Sequence, residues 1–340
     1  MNARRTLPIE LVTALYLLAY IPNIALTKYV SSIPSGLAAK PLSGLEILPS
    51  SLILSGLMTY AFIWIAGWWR SAHKLGLAGL TLPRPTLWTA LSGVGTALVL
   101  FTVPLSFTFA GVSIPFVQLL MRGDVLIIAP LVDLMTGRRV RWWSWAALAL
   151  VCAALAITLK ARGGLNLPPL CIATIGLYTL GYFIRLAVMT RTAKVGAPGE
   201  VQRYFVEEKI VAIPVAIAAL AGLAWITGGR QSGQLVTGFV TVWSSPALLP
   251  IAALSVSLFV VSVFSAMILL DPSENVFCVA LDRSASILAG VAAALLLGRW
   301  FGLPFPTQAE LVGAGLVTAA IFLLALGPRL GRQSARPAAA

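Results

Sequence analysis

Ten stretches of the chain are mostly apolar and about as long as a bilayer is thick. They lie near 9–29, 48–69, 86–109, 113–135, 141–160, 167–190, 205–227, 247–270, 275–298 and 308–327. A hydrocarbon core about 30 Å across is crossed by about 20 helical residues. In lipid every backbone N–H and C=O must be paired inside the protein, which leaves helices or closed barrels. Windows of this length predict helices. Composition agrees: of 340 residues, 59% are hydrophobic and 10% charged, where a soluble domain carries about 25% charged residues. The expectation is an all-α, multi-pass integral membrane protein of the cell membrane with ten transmembrane helices. The segment "GGRQSGQLVTGFVTVWSSP", Gly228 to Pro246, is too polar to span and is expected at the interface.

The sequence pI near 10.3 does not point to nucleic acid. The basic residues fall in short connectors between apolar runs and form no basic face of a folded domain. Their distribution sets orientation, because cytoplasmic connectors are enriched in Lys and Arg. With the N-terminus inside, fifteen Lys and Arg fall in inside segments and four in outside ones. Both termini are therefore expected in the cytoplasm. Arg4 and Arg5 precede a run too long for a signal peptide and without a clear cleavage site, so that run is expected to be a retained first span.

Two strings about 160 positions apart carry charge where lipid should be: "MRGDVLIIAPLVDLMTGRR", Met121 to Arg139, and "LDRSASILAGVAAALLLGR", Leu281 to Arg299. Arg122 matches Arg283, and "LYLLAY" (Leu15 to Tyr20) resembles "LYTLGY" (Leu177 to Tyr182) at a shift of 162. A near-constant shift of almost half the chain predicts two repeats of five spans each, 1–165 and 166–330, followed by a basic, disordered cytoplasmic tail, 331–340. An odd number of spans per unit inverts the second unit, the arrangement secondary transporters use for alternating access.

The two half-ends, "LMTGRRVRWWSWAALALVCAALAI" and "LLLGRWFGLPFPTQAELVGAGLVTAAIFLLAL", resemble those of the drug/metabolite transporter superfamily. EamA-like and nucleotide-sugar-transporter-like permeases of that superfamily end each half this way: a small-residue helix stops at Gly, a polar turn follows, and a Gly/Ala-rich helix closes the half. Many relatives carry Glu after that Gly, where this chain has Arg138 and Arg299. The resemblance implies ten helices in two inverted five-helix halves.

Each ionised residue in mid-span costs roughly 2.5–3.5 kcal/mol on insertion scales, so it should face a protein cavity, pair, or sit near an end. Lys28, Glu46, Asp133, Asp271 and Glu274 lie near window ends or in connectors and are read as structural. Arg122, Arg185 and Arg283 lie deeper. Asp124 and Asp282 are too close along the helix to pair well with Arg122 and Arg283, whereas Glu207 or Glu208 could reach an arginine from a neighbouring helix. The three arginines are expected to line a central cavity together with Asp124, Asp282, Gln118, Tyr20, Asn23, Tyr178 and Tyr182. Pro22-Asn23 is expected to interrupt the first span, as broken helices do at transporter cargo sites. A guanidinium fork suits carboxylate or phosphate, which suggests an anionic group on the cargo.

These observations point to a secondary transporter of a small, anionic metabolite. No G-x-x-x-x-G-K-[ST] motif is present. Asp124 and Asp282 are candidates for a coupling proton. His73 is the single histidine, and Cys152, Cys171 and Cys278 have no metal-site spacing. No enzymatic activity, metal or cofactor is expected, and the partners are a small-molecule substrate and membrane lipid. The alternatives are a membrane enzyme acting on a lipid-linked substrate, or a scaffold.

Overall fold

The computed structural model describes residues 8–34, 41–77, 80–109, 112–121, 128, 142–161, 167–193, 199–226, 228–271 and 275–333. Helices dominate it: α1 (Ile9–Ser32), α2 (Gly44–Ile65), α3 (Leu87–Ser106), α4 (residues 114–121), α5 (Trp142–Ala161), α6 (Pro169–Thr192), α7 (Glu200–Ile226), α8 (Gly229–Phe239), α9 (Leu248–Leu269), α10 (Asn275–Phe301) and α11 (Gln308–Gln333). Seven of these, α1, α2, α3, α6, α7, α9 and α10, are long and apolar enough to cross a membrane, and α5 and α11 add the apolar stretches 145–161 and 308–323. The chain is a multi-pass membrane protein.

Its surface is the reverse of a soluble protein's. Leu18, Leu57, Leu249 and Phe322 are each at least 60% exposed, while Glu207, Glu208, Lys209, Asp282 and Arg283 are at most 2% exposed. Apolar side chains outside and ions inside are stable only when the surrounding solvent is hydrocarbon.

Local chemistry sets the helix starts. At α2, Ser43 and Glu46 form a capping box: the Ser43 amide donates to Glu46 Oε2 at 2.6 Å and the Glu46 amide to Ser43 Oγ at 3.3 Å. The helix therefore begins four residues before the expected window, because Glu46 belongs to its first turn and not to the connector. α1 runs unbroken through Pro22, so the expected interruption does not occur, and α7 runs through Pro214. α11 continues to Gln333 into the expected disordered tail; residues 334–340, Asp133, Glu274 and the junction between the two expected halves lie outside the described residues.

Two features were not anticipated. The α2–α3 connector holds a short antiparallel hairpin, Lys74–Leu77 with Leu80–Pro83, in which Lys74 pairs with Pro83. The polar segment after α7 forms α8, whose Leu235 and Gly238 are buried against α2; a Cβ at Gly238 would lie 2.6 Å from the Glu46 carbonyl.

Contacts sort the helix ends into two groups. Tyr29 meets Phe301 edge-on at 4.8 Å, Lys28 Nζ donates to the Phe109 carbonyl at 3.4 Å, and Ser113 donates to Glu310. The ends of α1, α3 and α10 and the starts of α4 and α11 therefore share one face. On the opposite face, Glu207 of α7 holds His73 and the start of α3, and Arg191 of α6 lies over Trp88. α1 starts and α11 finishes at this hairpin face. α3 and α6 cross with their backbones in contact. A Cβ at Gly95 would be 2.7 Å from the Gly181 carbonyl, and one at Gly181 would be 2.5 Å from the Gly95 carbonyl. Small residues permit this backbone contact.

Candidate functional site

A cavity of about 80 Å³ lies at the centre, between α1, α3, α6, α7, α9 and α10. Four of the expected residues line it: Tyr20, Tyr182, Arg185 and Arg283. Lys209, which sequence reasoning did not single out, lines it too.

One wall is an ionic cluster around Glu208. Its Oε1 accepts from Arg185 Nε at 2.8 Å, from Thr96 Oγ1 at 2.6 Å and from the Tyr204 hydroxyl at 3.1 Å, and Tyr204 in turn lies 2.5 Å from Ser92 Oγ. Lys209 Nζ stands 3.7 Å from Glu208 Oε2. The cluster thus joins α3, α6 and α7. Glu208 lies eight residues into α7, about 12 Å along it. The charge run Glu207-Glu208-Lys209 was the available signal, and the helix start at Glu200 is what carries it into the protein interior.

Adjacent positions on a helix point about 100° apart, so Glu207 faces elsewhere. It accepts from the His73 amide (3.1 Å), His73 Nδ1 (2.7 Å), the Thr86 amide (3.3 Å) and Thr89 Oγ1 (2.8 Å). That carboxylate pins the α2–α3 connector and the first turn of α3 to α7. Its role is structural.

The other wall carries Arg283 on α10. Its guanidinium carbon sits 4.1 Å from the Tyr182 ring centroid and 6.0 Å from that of Tyr178, within cation–π range. Nη1 lies 3.4 Å from Asp282 Oδ2, and Asp282 Oδ1 accepts from Ser265 Oγ of α9 at 2.7 Å. This corrects the expectation that neighbours on one helix diverge too far to pair: the arginine is long enough to fold back over its own backbone. Arg283 is 2% exposed, and its Nε has no hydrogen-bond partner among the described residues.

Tyr178 and Asp282 stand behind this wall, as support for Arg283. Asn23 and Gln118 are not brought to the cavity. Asn23 Nδ2 donates to Ser257 Oγ of α9 at 3.2 Å, and Gln118 packs against Gly290 of α10. Both are buried. Arg122 and Asp124 lie outside the described residues. Tyr16 stacks on Tyr20 with ring centroids 5.3 Å apart and also lines the cavity.

Counting Arg and Lys as cations and Asp and Glu as anions, the described groups are Arg185, Lys209 and Arg283 against Glu208 and Asp282, an excess of one positive charge. The tyrosine faces add flat apolar surface beside these charges. Among the described residues no group of three or more His, Cys, Asp or Glu is placed to hold a metal ion.

No protein-family model and no curated protein matches this sequence. A solved structure described only as "Crystal structure of protein" aligns over 96% of this chain and 99% of that chain, at 15% sequence identity and a TM-score of 0.50. At that identity the likeness concerns the course of the backbone alone.

Proposed function

We propose that the chain is a secondary transporter of the drug/metabolite transporter type, moving a small anionic metabolite across the cell membrane by alternating access. The observation that carries this reading is Arg283: a guanidinium sealed inside a membrane protein, at the wall of a cavity whose described groups carry a surplus of positive charge, with no hydrogen-bond partner for its Nε among the described residues. Burying an unpaired donor of a charged group is costly, and a carboxylate or phosphate entering the cavity would satisfy it.

Helix packing supports the inverted-repeat reading. α3 packs on α6 and α7; under the shift of about 161, its counterpart α9 packs on α1 and α2. The tyrosine pairs Tyr16–Tyr20 and Tyr178–Tyr182 occupy matching positions of α1 and α6. In this reading ten helices cross the membrane as two inverted halves, and the hairpin face is cytoplasmic by its basic connectors. The test is uptake of a labelled panel of organic anions and neutral analogues into proteoliposomes. An anion taken up by the wild type should be transported at least about tenfold more slowly by Arg283→Gln, which loses a charge-assisted contact. Absence of uptake across a broad panel would refute the transporter reading.

A further inference from the structure

A second hollow opens at the face opposite the hairpin. It has a volume of about 450 Å³ and is bounded by the end of α1, the connector before α4, α10 and the loop before α11. Metabolite-binding pockets generally run from about 300 to 1,000 Å³. By that measure the central cavity, at about 80 Å³, is too small in this conformation, and the outer chamber is the space that fits a metabolite.

Its chemistry is distinctive. Among the described residues Lys28 is the cation in its lining, flanked by Ser31, Ser32, Thr108 and Ser113, and the remaining described walls are apolar, from Val112 and Ile114 to Leu297 and Leu303. Among the described residues Lys28 Nζ donates to the Phe109 carbonyl at 3.4 Å, so an ammonium group stands in a largely apolar chamber held by a neutral acceptor. Glu310 is buried and already engaged, by Ser113 and by the Thr307 amide at 2.9 Å. The sequence position of Lys28 near a window end suggested a side chain reaching for water; in the structure it belongs to a pocket. The chamber also lies in line with the central cavity. Along α1, Tyr16 and Tyr20 line the cavity and Lys28 and Ser31 line the chamber, with Ile24 and Thr27 buried between them. Tyr20 and Lys28 are eight residues apart, about 12 Å along the helix.

We infer that this chamber is a second binding site, distinct from the central cavity, that takes an organic monoanion with an apolar body through Lys28. The inference deepens the transporter reading by giving its cargo class, yet its test needs no transport. In a variant with Cys152, Cys171 and Cys278 replaced by serine, Ser32→Cys supplies a thiol inside the chamber. The purified protein in nanodiscs is labelled with an anionic methanethiosulfonate, and benzoate and benzamide, matched in shape and differing in charge, are compared as protectants. Benzoate should slow labelling and benzamide should not. Lys28→Gln should weaken benzoate protection by about tenfold or more, the loss of a charge-assisted contact, and Lys28→Arg should retain it. Equal protection by both compounds, protection unchanged in Lys28→Gln, or a Ser32→Cys thiol that does not react would each overturn the assignment. If benzoate protects while no anion is transported, the chamber stands and the transporter reading falls.

Discussion

Glu208 offers the sharpest test of how the interior is held together. It is fully buried, and within 4 Å of it lie two cations, Arg185 at 2.8 Å and Lys209 at 3.7 Å, along with the hydroxyls of Thr96 and Tyr204. Glu208→Gln keeps the shape and removes the charge, leaving two buried cations without that carboxylate. Breaking a buried pair in this way costs about 3–5 kcal/mol. A neutral interhelical hydrogen bond in a membrane protein averages about 0.6 kcal/mol, so the two accounts of the cluster differ severalfold. Arg185→Gln should cost less, because Lys209 still faces Glu208. Glu208→Gln with Arg185→Gln should be less harmful than the sum of the two, with a coupling of about 1–3 kcal/mol. The assay is reversible unfolding in mixed detergent–SDS micelles, followed by far-UV circular dichroism. A Glu208→Gln loss below about 1 kcal/mol, or single-variant effects that add to within about 0.5 kcal/mol, would refute the view that charge pairing organises α3, α6 and α7.

Two more outcomes follow from the packing. Gly181→Leu forces side-chain atoms into the Gly95 backbone; overpacking of this kind costs about 1–3 kcal/mol or more, and the yield of monodisperse protein in size-exclusion chromatography should fall, whereas Gly176→Leu, which meets nothing within 4 Å, should leave it unchanged. Glu207→Ala strips the acceptor from four donors and should destabilise by about 1–3 kcal/mol in the same SDS titration, whereas His73→Ala, which removes one half-exposed partner, should cost less than about 1 kcal/mol.

The membrane architecture was legible because lipid leaves the backbone so few options. Apolar length alone located the seven helices long and apolar enough to cross a membrane. Boundaries were less legible, since they depend on capping side chains: Glu46 lies outside the apolar window, yet it accepts the Ser43 amide and belongs to the first turn of α2. The hairpin at 74–83 was invisible because four-residue strands carry too little periodicity to register. Among site residues, depth in the window found Arg185 and Arg283. Depth does not give rotation about the helix axis. Nor does it give reach: Asn23 follows Tyr20 by three positions just as Arg185 follows Tyr182, yet its short amide stops at Ser257 of α9 while the longer guanidinium lines the cavity. Lys209 falls within the seventh window but near its inner end, beside two carboxylates that the sequence offers as arginine partners, so nothing in its position singles it out as a cavity residue.

Comparing matched positions says where the charge resides. At a shift of 162, Tyr16 and Tyr20 correspond to Tyr178 and Tyr182, and Asn23 corresponds to Arg185. The tyrosines are stacked on α1 and inclined to each other on α6, with ring centroids 5.3 and 5.7 Å apart. The next slot diverges. On α1 it holds an amide bound to the Ser257 hydroxyl of α9; on α6 it holds a guanidinium bound to Glu208 of α7. The α3–α6–α7 side is thus fastened by ions and by the glycine crossing of Gly95 and Gly181, while the α1–α9 crossing is fastened by a neutral contact and has Ala19 where α6 has Gly181. If the two sides exchange roles during alternating access, they do so with unequal strength. On the proposed transporter reading, the α1–α9 side, whose α1 borders both the central cavity and the outer chamber, should require less free energy to separate.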